Sequence, residues 1–150
     1  MSRFAAPVAT ILLIAIGAVE ARVSAQQLAE TVGRPRLEGA GVLLTAAGLL
    51  ASTVVYLVLG HLADDDRAAV RSGAVTGALA GLIGGALRAF IISGPVADLV
   101  TRYAAVPDVF VTLALAAFVA LACVGSAVGG GALAWTGRRL SRAVRSRPPA

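Results

Sequence analysis

The sequence predicts an all-α, polytopic membrane protein, a four-transmembrane-helix bundle with Gly/Ala-rich close helix packing, and three observations lead there. Hydrophobic residues make up 58% of the chain and charged residues only 14%, with a mean hydropathy of +0.86; a soluble domain carries about 25% charge to build its polar skin. The apolar residues are gathered into four long runs, each near the ~20 residues that one helical crossing needs. Those runs are rich in Ala, Leu, Val and Gly and lack the short alternating strands of a membrane barrel, so helices must satisfy the backbone within lipid. The 150 residues leave room for a single integral membrane domain, residues 1–150, and for no sizeable soluble one.

The first helix is expected over about residues 4–22: the run Phe4–Val19 carries no charge until Glu20, and Pro7 falls in the first turn, where its missing N–H costs little. Residues 1–25 also fit a secretory signal, with Met1–Arg3 as a charged start, Ala5–Val19 as the apolar stretch and Val23-Ser24-Ala25 as a small-residue cleavage site. That alternative leaves three helices in the mature chain. The second helix is expected over about 39–62, between Glu38 and Asp64. The short, charged connector Asp64–Arg71 predicts a tight antiparallel hairpin between it and the third helix, over about 70–93, interrupted once by Arg88 and stopped by Ser93-Gly94-Pro95. The fourth begins at Pro107-Asp108 and covers about 108–137, ending at Arg138 and Arg139, with a basic tail over 138–150. The semi-apolar stretches Gln27–Val32 and Ala97–Ala105 read as short helices lying along the membrane surface.

All thirteen basic residues are arginine, and their placement sets an orientation. With four crossings, Arg3, Arg67, Arg71, Arg138, Arg139, Arg142, Arg145 and Arg147 share one side, and Arg22, Arg34, Arg36 and Arg102 the other. The positive-inside rule then places both termini in the cytoplasm and the protein in the plasma membrane, the inner membrane of a bacterium. A net charge of +5 on a soluble chain would suggest nucleic acid. Here the arginines sit at helix ends, so the expected partner is the lipid bilayer and not nucleic acid, with Arg138, Arg139, Arg142 and Arg145 forming a lipid-facing basic tail.

The strongest pattern lies in the third helix. Gly73, Gly77, Gly81 and Gly85 recur every four residues, which stacks them on one face as a glycine zipper. Lipid removes the hydrophobic drive between helices, so association relies on close packing that small residues permit. Matching small residues include Gly48 and Ser52 in the second helix, at the roughly 3.5-residue spacing of a left-handed seam, and Ser126 and Gly130 in the fourth. The row is specific for a helix contact, within the chain or with a homo-oligomer or membrane-protein partner.

Arg88 is the one charge inside a span. At about 1.5 Å per residue it lies roughly 25 Å from Arg71, near the far edge of a ~30 Å core, and Glu20 lies at similar depth in the first helix. Simple snorkelling of Arg88 to the headgroups is the plainest reading; a Glu20–Arg88 ion pair, with Asp98 as the competing acid, is the structural hypothesis beside it, and a substrate or proton site is the third. Asp64, Asp65 and Asp66 suit capping of the third helix. One histidine, His61, and one cysteine, Cys123, leave no expectation of catalysis, metal binding or a cofactor. The overall look is similar to that of small glycine-rich bacterial membrane proteins, a resemblance that implies no activity. The functional expectation is a non-catalytic membrane protein acting through helix packing, as a homo-oligomer or accessory subunit; the alternative is a small transporter or channel with Arg88 near the pathway.

Overall fold

A computed structural model describes residues 4–31, 39–103 and 107–145. It is all-helical among these residues: α1 (Ala5–Thr31), α2 (Gly39–His61), α3 (Asp66–Tyr103) and α4 (Asp108–Arg145). Three helices are long and apolar enough to cross a bilayer, over Ala5–Val23, Asp66–Gly94 and Val109–Val144, and α2 adds the shorter apolar stretch Thr45–His61. The chain is a membrane-spanning protein built as a helical bundle.

Side-chain sizes are distributed accordingly. The buried apolar set is mostly alanine, Ala9, Ala21, Ala63, Ala69, Ala80, Ala89 and Ala134, joined by Leu13, Tyr56 and Leu59. Large residues such as Ile11, Leu43, Leu50, Phe90, Leu113 and Leu121 point outward. A soluble protein cannot expose that much contiguous apolar surface, whereas lipid tails solvate it and leave the interior to small residues that let backbones meet.

The helices form a ring in the order α1, α3, α4, α2: α1 packs on α3 and α2, and α4 packs on the same two. The largest interface is α3 with α4; α1 and α4 do not touch among the described residues. The expected tight hairpin of α2 and α3 is therefore not what forms. Their connector is short, yet they lie on a diagonal and share the smallest interface. The flat glycine face of α3 is occupied by α4, which crosses α2 where Gly60 meets the Ala134 backbone and Gly137 meets that of Leu57.

Helix ends differ from the sequence expectation in one direction: they run on. The stop at Ser93-Gly94-Pro95 does not occur, and α3 continues to Tyr103. Proline forfeits one backbone hydrogen bond and strains one turn, a cost that a long helix in lipid tolerates; just before it, the Ser93 hydroxyl donates to the Phe90 carbonyl at 2.7 Å. Neither surface helix is separate, since 27–31 continue α1 and 97–103 continue α3. The basic tail is helical as far as Arg145. At 38 residues each, α3 and α4 are about 57 Å long, nearly twice the ~30 Å hydrocarbon core, so both project beyond it. The start of α3 moves forward to Asp66 because Asp65 caps it: its Oδ1 accepts the Ala68 N–H at 2.6 Å, and the Ala69 N–H donates to its carbonyl at 3.0 Å.

Candidate functional site

Two groups of residues carry the chemistry this fold can offer, one at each end of the bundle. At the first, the parallel packing of α1 on α3 brings Glu20 beside Arg88. Arg88 Nη2 donates to Glu20 Oε2 at 2.7 Å, and the side chains are 32% and 17% exposed. Gly48 supplies the third wall. A Cβ placed there would stand 2.6 Å from the Glu20 carboxyl carbon and closer still to Oε1, so the absent side chain is what seats the carboxylate against α2. A charge in lipid is costly unless neutralised, and here the acid of one helix and the base of another meet over a glycine of the third. The side chain of Asp98, the competing acid, lies outside the described residues.

The glycine row is positioned on α4. A Cβ on Gly73 would come within 2.6 Å of Ala134 Cβ, on Gly77 within 2.6 Å of the Ser126 carbonyl carbon, on Gly81 within 2.8 Å of Cys123 Cα, and on Gly85 within 3.2 Å of Ala122 Cβ. Partners descend along α4 as positions ascend along α3, which makes the pair antiparallel. Gly130 faces Gly73 and the Tyr56 ring. The Cys123 thiol donates to the Ala78 carbonyl at 3.5 Å across the same interface. Thus Gly73, Gly77, Gly81, Gly85, Ser126 and Gly130 are brought together, while Gly48 serves Glu20 on α1 instead of the third helix. Ser52 is half-buried.

At the opposite end the last turns of α4 lie on the α2–α3 connector. Arg138 donates through Nη2 to the Asp64 carbonyl. Arg142 Nη2 lies 2.9 Å from Asp66 Oδ1, and Arg139 Nε 3.6 Å from Asp66 Oδ2. Arg139 also stacks over Trp135, 4.8 Å from the ring centroid. The basic residues expected to face lipid are thus turned, in these three cases, toward the acidic connector; the side chain of Arg145 lies outside the described residues. Beside this cluster a shallow hollow of about 350 Å³ is lined by His61, Leu62, Ala63, Asp64 and Arg138.

Compared with protein-family models, curated protein sequences and solved structures, the chain matches none. Among the described residues no three His, Cys, Asp or Glu side chains gather as a metal site would require. Hydroxyls within the spans are committed locally, Thr10 to the Ala6 carbonyl, Thr53 to Leu49 and Thr136 to Ala132, which is how such residues satisfy themselves in a helix.

Sequence reasoning had no signal for the Gly48 seat, because spacing along α2 cannot say which neighbour a glycine faces. It likewise missed Gly60, Gly137 and the hollow at His61, which exist only where α4 crosses α2.

Proposed function

We propose that the protein is a non-catalytic, multi-pass membrane protein that acts through helix packing, as a homo-oligomer or as an accessory subunit of a membrane complex. The supporting observation is the contrast between the two sides of α4. Its inner face is filled by the glycine row of α3, whereas its outer face between Val109 and Gly129, with Val109, Leu113, Leu121, Val124 and Val128, is uncovered, and Gly125 and Gly129 on it have no neighbour within contact distance. The α3 row, already covered, is not the surface that would meet another chain. We place the protein in the plasma membrane with both termini cytoplasmic, since the connector and the end of α4 meet at the end carrying most of the arginine.

The test is the mass of the full chain in mild detergent and in lipid nanodiscs. A homo-oligomer that Gly125→Leu dissociates, with helix content and thermal midpoint retained, supports the proposal. A monomer throughout, together with solute flux in liposomes that Arg88→Ala abolishes, would overturn it in favour of a transport pathway past the ion pair.

A further inference from the structure

We infer that a small chamber inside the bundle, one helical turn from the Glu20–Arg88 pair, binds water and keeps that pair hydrated within the span. Two layers of contact fix the register of α1, α2 and α3. In one, the Glu20 carboxylate joins Arg88 and lies against Gly48. In the other, Leu13, Tyr56 and Ala80 form the buried apolar cluster. Leu13 is seven residues before Glu20, Tyr56 eight after Gly48 and Ala80 eight before Arg88, so the layers stand about 10–12 Å apart along all three helices. Midway between them come Gly17, Ser52 and Gly84, each one turn from a residue of either layer and so on the same inward row. All three are small and only half-buried, although Leu13, Ala21, Gly48, Tyr56 and Ala80 on those rows are buried. A Cβ added at Gly17 or Gly84 would meet nothing within 4 Å, whereas one at Gly73, Gly77 or Gly81 would strike α4. The three helices are thus held together on both sides of a layer that no large side chain from their inward rows fills.

The lining decides the occupant. An apolar space stays dry, whereas a polar one holds water when two or more groups can bond it. Ser52 brings a hydroxyl to the layer. Its neighbour Thr53 donates to the Leu49 carbonyl, but among the described residues Ser52 forms no such bond. Arg88 has several N–H donors and gives one to Glu20, while its side chain stays 32% exposed. Ionisable groups within a span are kept where they face the bundle interior or water. Water accepts from Arg88, donates to the Glu20 carboxylate and does either with Ser52. An acyl chain answers none of these groups, and a free ion is repelled by one member of the pair. The chamber goes beyond the packing role proposed above and depends on neither oligomeric state nor orientation.

The experiment uses the full chain carrying Cys123→Ser, reconstituted in liposomes, and reads the rate at which single cysteines react with methyl methanethiosulfonate. The reaction needs the thiolate, which apolar surroundings suppress and water permits. Ser52→Cys and Gly84→Cys are expected to react at least about tenfold faster than Leu50→Cys, a site close in depth to Ser52 but 67% exposed on the outside of α2. In the Gly84→Cys protein, Ser52→Leu fills the chamber and is expected to slow the reaction about tenfold by the same loss of thiolate. Val54→Leu, on the outward side of α2, is expected to leave it unchanged. Chamber cysteines that react no faster than Leu50→Cys mean a layer that is dry or filled by an acyl chain, and overturn the inference. An unchanged rate on Ser52→Leu also overturns it, because Ser52 and Gly84 then share no space. Gly17→Cys repeats the measurement from α1, so the test holds even if one of the other variants unfolds the bundle.

Discussion

Replacing Gly77 by alanine adds one methyl group at the tightest part of the α3–α4 contact, and the structure gives the consequence a size. That methyl would stand 2.6 Å from the Ser126 carbonyl carbon and 3.1 Å from Ala127 Cα, where ordinary contact begins at 3.4 Å. Both atoms are backbone, so no side-chain rotation relieves the clash and the helices must separate locally by most of an ångström. Overpacking of this kind costs about 1–3 kcal/mol, opposed by up to about 1 kcal/mol from alanine's better helix propensity. Gly84, on the same helix, has nothing within 4 Å of its added Cβ, so Gly84→Ala receives the propensity gain alone. The propensity gain is common to both variants, so the difference between them isolates packing, and we expect it to be about 1–3 kcal/mol. Reversible unfolding of the full chain in mixed micelles of mild detergent and dodecyl sulfate, followed by far-UV circular dichroism, measures it. A Gly77→Ala protein as stable as Gly84→Ala would refute the assignment of the glycine row to α4.

Three further outcomes are expected from the same assay. A double-mutant cycle of Glu20→Ala and Arg88→Ala should show a coupling of about 1–2 kcal/mol, between the values of surface and fully buried pairs; Glu20→Arg should rescue Arg88→Glu, and failure to do so means the two charges do not support each other. Gly48→Ala should cost about 1 kcal/mol in the native background by displacing the carboxylate, yet gain up to about 1 kcal/mol from helix propensity when Glu20 is alanine, and an equal effect in both backgrounds would show that Gly48 seats something else. Asp65→Ala should lower stability by about 1 kcal/mol through loss of the α3 cap, whereas no change would mean that the Ala68 N–H finds another acceptor.

Much of the architecture is legible in the residues because lipid leaves the backbone few choices. The four helices follow from runs of apolar residues whose polar backbone must be satisfied internally. The flat faces are legible too: glycines four apart in Gly73–Gly85 and small residues four apart at Ala122, Ser126 and Gly130 mark α3 and α4 as shaped for close approach, although neither their pairing nor their register can be read from spacing. Helix ends were read less well. Proline and glycine at 94–95 and the arginines at 138–139 mark boundaries in water, but a single lost hydrogen bond does not end a long helix, and an arginine can continue one.

By itself the sequence determined the solvent, the class of structure and which helix faces were shaped for close approach, since composition and period act locally along each segment. The tertiary structure decided which faces met. It set α2 and α3 on a diagonal, turned Gly48 toward Glu20, and brought the acidic connector under Arg138, Arg139 and Arg142. The physical reason is that contacts between helices depend on how four rods of unequal side-chain size pack around one another. Several small faces compete for each neighbour, and only the packing of all four together selects among them.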